Sequence, residues 1–173
     1  MTTSIVNIAG VFTFERLFAF LRDLRRAPTP YEEALRELQM AHYAEALSRF
    51  DTLLANTPLH DEARLTFENK RGIALVYLRR VGEARGVFES ILQRDPAFAP
   101  ALVNLGNMAL EGGDLEEAVR RYESAVRIDD FYAGAHFNLG VAYKRLGRTT
   151  EAVREFRRAT NLEGRAKRKQ SIY

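Results

Sequence analysis

The sequence predicts an all-α protein that is built as a stack of antiparallel helix pairs. Segments 99–132 and 133–166 align without a gap at a spacing of 34 residues. In each segment, two stretches with apolar residues at helical spacing are separated by a short turn that contains glycine. A helical hairpin that repeats at this length buries its apolar face against its neighbours, so the pattern indicates a repeat array with one continuous core.

The N-terminal segment, residues 1–28, is predicted to contain an amphipathic helix over residues 14–26. Its apolar stripe carries Phe14, Leu17, Phe18 and Leu21, and arginines occupy the other side. The helix is expected to cap the exposed flank of the repeat array. A groove-filling segment, a self-association arm and a membrane-surface helix are the alternatives, in which the same four residues would contact the partner or the membrane.

The repeat array is predicted over residues 29–164 and contains four units, 29–58, 59–98, 99–132 and 133–164. The first unit is divergent and begins with a capping box between Thr29 and Glu32. The second unit is long, because Pro58 and Pro96 lie 38 residues apart. Its first helix should therefore be about one turn longer than usual.

The third and fourth units have the clearest pattern. In the third unit, Gly113 is expected to end the first helix, since glycine tolerates the left-handed conformation, and Asp114 to cap the second helix. Gly106 is small where the two helices must approach closely, and Tyr122 fills the space beside it. The fourth unit repeats these features, and Gly164 is expected to end its second helix.

Residues 165–173 are predicted to form a short basic tail. A repeat array usually closes with an extra solvating helix, and nine residues are few for that task. The apolar side of residues 153–162 is therefore expected to be only partly covered, which would favour contact with a partner or with a second copy of the chain.

The repeat pattern resembles the tetratricopeptide repeat family over about residues 30–166. Matching residues in the third and fourth units are Leu105 and Leu139, Gly106 and Gly140, Ala118 and Ala152, and Tyr122 and Phe156. The resemblance implies a right-handed superhelix whose first helices line a concave groove. It also implies a non-catalytic adaptor or co-chaperone-like scaffold that binds a peptide or helix of another protein there and needs no cofactor.

The same resemblance assigns a set of residues to the groove. They are Asn69, Lys70, Ile73, Tyr77, Val103, Asn104, Asn107, Phe137, Asn138, Val141, Lys144 and Arg145. Asn104 and Asn138 occupy the same place in successive units, like the asparagine ladder of some family members. An amide side chain both donates and accepts, so it can hold a peptide backbone; the alternative is that both amides are only solvated. Neither residue lies on the apolar stripe, so the fold is expected not to depend on them.

The family's carboxylate clamp, which holds the C-terminal acid of heat-shock chaperones, is not predicted here. Asn107, Asn138 and Arg168 match places of the clamp, but Val103 and Ile172 stand where basic residues are needed. A carboxylate ligand requires such charged donors.

Composition and spacing argue against other classes of function. The net charge of +3 comes from the ends of the chain, because residues 27–163 carry 18 basic and 21 acidic side chains, so no nucleic-acid partner is expected. His42, His60 and His136 lie far apart without metal-ligand spacing, and nothing assembles a nucleophile, base and orienting group. No signal peptide or membrane-spanning segment is predicted, so a cytoplasmic location is expected, with a peripheral position at a membrane as the alternative.

Two classes of function therefore remain. The first is an adaptor that binds a peptide or helix in the groove. The second is a self-assembling or membrane-surface scaffold that uses the N-terminal helix and the terminal repeats. Removal of residues 1–26 should leave partner binding intact in the adaptor, and should abolish the oligomeric or membrane-bound state of the scaffold.

Overall fold

The computed structural model describes residues 27–170, and every regular element in this range is an α-helix. The eight helices are α1 (Pro30–Gln39), α2 (Tyr43–Asn56), α3 (Asp61–Tyr77), α4 (Val81–Arg94), α5 (Ala99–Gly112), α6 (Leu115–Ile128), α7 (Ala133–Arg145) and α8 (Thr149–Gln170). The predicted N-terminal helix, with Phe14, Leu17, Phe18 and Leu21, lies outside the described residues, and its contacts stay a prediction.

The helices form four antiparallel pairs that stack in chain order. Each helix packs against its neighbours along the chain, and α5 also contacts both α3 and α7. The first helices of the repeats therefore form an inner layer, and the second helices α2, α4, α6 and α8 form an outer layer. This arrangement is the stack of antiparallel helix pairs that the repeat pattern predicted.

A glycine facing an aromatic ring brings the two helices of a repeat together in three of the four pairs. A Cβ atom added to Gly106 would lie 2.6 Å from the Tyr122 ring, and one added to Gly72 would lie 2.5 Å from the Phe88 ring. Gly140 has the same relation to the ring of Phe156. Because Cβ atoms do not occur this close to other heavy atoms, the ring occupies space that exists only beside glycine.

The first helix of every repeat ends in the same way. A residue at the C-cap or directly after it has a left-handed backbone, with φ of 63° at Ala41, 61° at Arg79, 86° at Gly113 and 76° at Gly147. In the third repeat the next amide closes the turn, since the N–H of Asp114 donates to the carbonyl of Ala109 at 3.0 Å. The predicted end at Gly113 is confirmed, and two repeats make the same turn without glycine.

The predicted caps at two helix starts are confirmed. The Asp114 carboxylate accepts a hydrogen bond from the backbone N–H of Glu117 at 3.0 Å. At α1, the Thr29 hydroxyl accepts from the N–H of Glu32, and the Glu32 carboxylate accepts from the N–H of Thr29 at 2.7 Å. Both caps satisfy amides that have no partner inside the helix.

The length of α3 confirms the prediction made from the proline spacing. This helix has 17 residues, whereas α5 has 14 and α7 has 13. The difference is about one turn of α-helix.

The predicted helix end at Gly164 is wrong, because α8 continues to Gln170 and has 22 residues. Gly164 does not adopt the left-handed conformation, and no proline follows it. Basic residues such as Arg165 and Lys167 also suit the negative end of the helix dipole. The residues predicted as a short tail are therefore helical as far as Gln170.

The apolar side of the last repeat is only partly covered, as expected. On α8, Ala152 and Ala159 are each 2% exposed and Leu162 is 7% exposed. Ala152 and Ala159 correspond to Ala118 and Ala125 of α6, which are completely buried, so this part of the apolar stripe is used within the repeat. Val153 is the exception and is 42% exposed.

Candidate peptide-binding groove

Two asparagine pairs join the inner helices α3, α5 and α7. The Asn104 side-chain N–H donates to Asn69 Oδ1 at 2.8 Å, and the Asn138 side-chain N–H donates to Asn107 Oδ1 at 2.9 Å. Asn107 Oδ1 also accepts from the hydroxyl of Tyr122 at 2.7 Å. Each pair bridges two repeats, so half of each amide is part of the contact between repeats. That the fold survives the loss of Asn104 and Asn138 stays a prediction.

The other half of three of these amides has no partner within residues 27–170. Asn104 Oδ1 and Asn138 Oδ1 remain as acceptors, and the amide nitrogen of Asn107 remains as a donor. Asn104 and Asn107 are three residues apart on α5, so they lie on one face about one turn apart. The groove therefore presents an acceptor beside a donor, which is the pattern that a peptide bond complements.

A cavity of about 380 Å³ lies between α3 and α5 next to these amides. It is lined by Ile73, Val76, Tyr77, Arg79, Asn104, Asn107, Met108 and Glu111. The volume falls near the lower end of the range for ligand pockets. Because the lining is apolar except at Asn104, Asn107 and two charged residues, the cavity suits an apolar side chain whose backbone lies along the asparagines.

Aromatic rings are exposed at two places on the inner helices. Tyr77 is 58% exposed and stacks on Tyr43 of α2, with the ring centroids 4.4 Å apart. Phe137 is 52% exposed and lies 5.5 Å from the Phe156 ring of α8. Both rings are held in place on one side, so a ligand that covers them gains apolar contact with little loss of side-chain entropy.

The charges predicted for the groove have different roles. Arg145 Nη1 donates to the carbonyl of Leu110 at 2.9 Å and so satisfies the C-terminal end of α5. Lys70 is half-buried and Lys144 is exposed, without an ion pair in the part of the chain that the structure describes. These two lysines and Arg79 outnumber the acidic Glu111, so the groove carries more positive than negative charge.

Two predicted groove residues are buried. Val103 is 5% exposed and belongs to the apolar cluster between α5, α6 and α7, so its assignment to the groove lining is wrong. Asn69 is also 5% exposed, and it positions Asn104 instead of facing a ligand. The structure brings Ile73, Tyr77, Asn104 and Asn107 together around the cavity.

Four cavity residues were missed by the sequence interpretation. They are Val76, Arg79, Met108 and Glu111. Val76 follows Ile73 by three residues, and Met108 and Glu111 follow Asn104 and Asn107 by four, so helical spacing alone would have identified these three. The remaining predicted residues of α7, namely Phe137, Val141 and Lys144, do not line this cavity.

The buried polar groups outside the groove link helices. His136 is 4% exposed, and its Nδ1 lies 2.8 Å from Glu155 Oε2 on α8. The hydroxyl of Tyr143 donates to Glu123 on α6 at 2.6 Å. Burial first, and then the bond to Glu123, raises the pKa of Tyr143 to about 12.

The described residues 27–170 contain no group of three or more side chains placed to hold a metal ion. None of the described helices is long and apolar enough to span a membrane.

Two protein-family models match the C-terminal half of the array. A "TPR repeat" model matches residues 106–147, and a "Tetratricopeptide repeat" model matches residues 133–166. Both matches fall on the third and fourth repeats. The sequence has no match among curated proteins.

Solved structures with the same fold cover most of the chain. MamA 41-end from Desulfovibrio magneticus RS-1 is 23% identical, covers 86% of this chain and 82% of its own, and has a TM-score of 0.60. The second TPR of Spaghetti (RPAP3) bound to the HSP90 peptide SRMEEVD is 24% identical over 57% of this chain and 91% of its own, with a TM-score of 0.53. YrrB, described as a TPR protein with an unusual peptide-binding site, is 19% identical over 78% and 68%, with a TM-score of 0.57. These likenesses concern the fold.

Proposed function

Because the chain is a tetratricopeptide repeat protein, we propose that it is a non-catalytic adaptor that holds an extended segment of another protein. The groove is the inner surface of α3, α5 and α7. The proposal needs neither a cofactor nor a metal ion, and we expect the adaptor to work in the cytoplasm.

The unused halves of the groove amides carry the proposal. A peptide unit has one N–H and one C=O, and both must be paired when water is excluded. Asn104 Oδ1 supplies an acceptor, and the Asn107 amide nitrogen supplies a donor one turn away. Because the other half of each amide is already bonded to a neighbouring repeat, the side chains are oriented before the ligand arrives, which lowers the entropic cost of binding.

The cavity between α3 and α5 defines the ligand further. An aliphatic or aromatic side chain would enter beside Ile73 and Met108 and would lie against the exposed ring of Tyr77. Lys70 and Lys144 favour acidic residues elsewhere in the segment. A C-terminal carboxylate as the main anchor is disfavoured, since Val103 is apolar and buried where a clamp needs a basic side chain.

Similar structures support this class of ligand. One was solved with a peptide bound, and another is described by its peptide-binding site. Both share the fold of this chain, so they support a peptide segment as the kind of partner. They do not indicate the sequence of that segment.

A photo-crosslinking experiment would find the partner and test the groove. The full chain with p-benzoylphenylalanine in place of Tyr77 would be irradiated in an extract of its source cells, and mass spectrometry would identify the linked segment. The same label at Val81, which is 45% exposed on the outer helix α4, is the matched control. We expect one dominant segment with an apolar anchor from position 77 and none from position 81.

The identified segment would then be titrated as a synthetic peptide by fluorescence anisotropy. Loss of one amide contact costs about 1 kcal/mol, so Asn104→Ala should weaken binding about fivefold, and Tyr77→Ala by a similar factor. Val81→Ala should change the affinity less than about twofold. Circular dichroism would confirm that each variant is folded. Unchanged affinity in both groove variants, with the variants folded, would show that the groove is not the binding site.

A further inference from the structure

The outer face of α8 is the place where another helix would continue the stack. In the preceding repeats, α3 packs on α2, α5 on α4 and α7 on α6. Leu47 of α2 and Val119 of α6 occupy the same place in their repeats and are 7% and 6% exposed. Arg85 has this place in α4 and is exposed, and Val153 has it in α8 and is 42% exposed. No helix follows α8 within residues 27–170.

The charge at the centre of this face is reversed relative to the other repeats. The corresponding place is acidic in the first three repeats, where Asp51, Glu89 and Glu123 occupy it, and it is Arg157 in the fourth. The first and third acids accept bonds from the helix packed on them: Arg71 of α3 donates to Asp51 at 2.5 Å, and Tyr143 of α7 donates to Glu123 at 2.6 Å. A helix seated on α8 would therefore have to offer Arg157 an acceptor.

Arg157 is exposed and has no ion pair in the described part of the chain. It lines an open cavity of about 640 Å³ together with Thr149, Val153 and Asn161. Between residues 149 and 168, six basic side chains stand against three acidic ones. A second cavity begins at Asn161 and includes Arg165, so the positive surface continues along α8.

We propose that the outer face of α8 binds an acidic amphipathic helix of a partner protein, which packs as a further helix of the stack. An apolar side chain of that helix would cover Val153, and a carboxylate would pair with Arg157. This site lies on a helix of the outer layer and is independent of the proposed groove. The chain's own residues 1–26 have the wrong sign for this site, since four arginines outnumber two acids.

The test uses the full chain and a synthetic helical peptide of about 20 residues, with leucine at helical spacing and glutamate on the other positions. Binding would be followed by fluorescence anisotropy at low and at physiological salt. A counterpart with lysine in place of glutamate tests the sign. The variants are Arg157→Glu, Arg157→Lys, Val153→Asp and, as a matched control, Arg85→Glu, an exposed arginine of α4 without an ion pair among the described residues.

We expect the glutamate peptide to bind and the lysine peptide not to bind. Arg157→Glu and Val153→Asp should each weaken binding at least tenfold, whereas Arg157→Lys and Arg85→Glu should change it less than about threefold. Equal losses in Arg157→Glu and Arg85→Glu would overturn the proposal, because the peptide would then respond only to net charge.

Two further results would also overturn it. Sedimentation of the chain alone could show a dimer that Arg157→Glu dissociates, which would identify a second copy as the occupant. Phosphatidylserine vesicles could bind in an Arg157-dependent way while the glutamate peptide does not, which would identify a lipid surface. Groove variants such as Tyr77→Ala should leave peptide binding to α8 unchanged.

Discussion

Replacement of Gly106 by alanine tests whether the glycine and aromatic pair sets the distance between the two helices of a repeat. The new Cβ would lie 2.6 Å from a Tyr122 ring carbon, whereas ordinary contact begins at 3.4 Å, so the ring has to move by about 0.8 Å. Tyr122 is completely buried, and its hydroxyl is bonded to Asn107. The ring therefore cannot move without disturbing the core and the groove amide.

The expected loss follows from two opposing effects. Overpacking of a core costs about 1–3 kcal/mol, and alanine gains about 0.5–1 kcal/mol over glycine inside a helix. The net effect of Gly106→Ala is a loss of about 1–2 kcal/mol in the free energy of unfolding. Gly140→Ala should cost less, because Phe156 is only half-buried and can move outward.

Gly86→Ala on α4 is the matched control, since a Cβ at this exposed helical site meets nothing within 4 Å. This variant should be stabilised by about 0.5–1 kcal/mol. Thermal unfolding followed by circular dichroism should then separate the two variants by about 3–12 °C, because 1 kcal/mol corresponds to about 2–4 °C at this size. A Gly106→Ala melting temperature equal to or above that of Gly86→Ala would refute the argument from close approach.

Two other predictions concern the helix ends and the buried tyrosines. Ala41 has a φ of 63°, a left-handed conformation that strains a residue with a Cβ atom, so Ala41→Gly should raise the free energy of unfolding by about 1 kcal/mol. Ala44→Gly in the exposed part of α2 should lower it by about 0.5–1 kcal/mol. Urea unfolding measures both, and a loss of stability in Ala41→Gly would contradict the backbone strain at this position. The pKa of Tyr143 is raised to about 12 from the ordinary 10.0, so the folded state keeps a proton that the unfolded state loses, and stability should fall as the pH rises from about 10 to 12. Tyr143→Phe should make this decline shallower without removing it, since burial also raises the pKa of Tyr122 and Tyr132; an unchanged slope would contradict the assignment.

The elements of this fold were predictable because the signals are local. Gly113 and Asp114 are adjacent in the sequence, and their effects on the helix end and start depend only on backbone geometry. The contact of Gly106 with Tyr122 was also predictable, since both belong to one hairpin whose turn fixes their relation.

The features that the sequence interpretation missed depend mainly on contacts between repeats. Asn104 bonds to Asn69, 35 residues earlier, and this pairing requires the distance between two inner helices, which no single repeat contains. Val103 was assigned to the groove by the family resemblance, but the packing of α5 against α6 and α7 buries it. Gly164 was expected to end α8, yet glycine ends a helix only where the chain needs a left-handed residue.

The pattern of contacts has a mechanical consequence. Among the helices of residues 27–170, substantial contacts join only those that lie one or two positions apart along the chain, so the repeat array is effectively one-dimensional. A force applied to the two ends of the array would act on each hairpin in series, whereas in a sheet or a closed barrel several strands would share it. The least stable hairpin would then unfold first, and its neighbours would stay folded. Local damage in such a chain shortens the ordered length without destroying the rest, and extension disturbs only the contacts between neighbouring repeats.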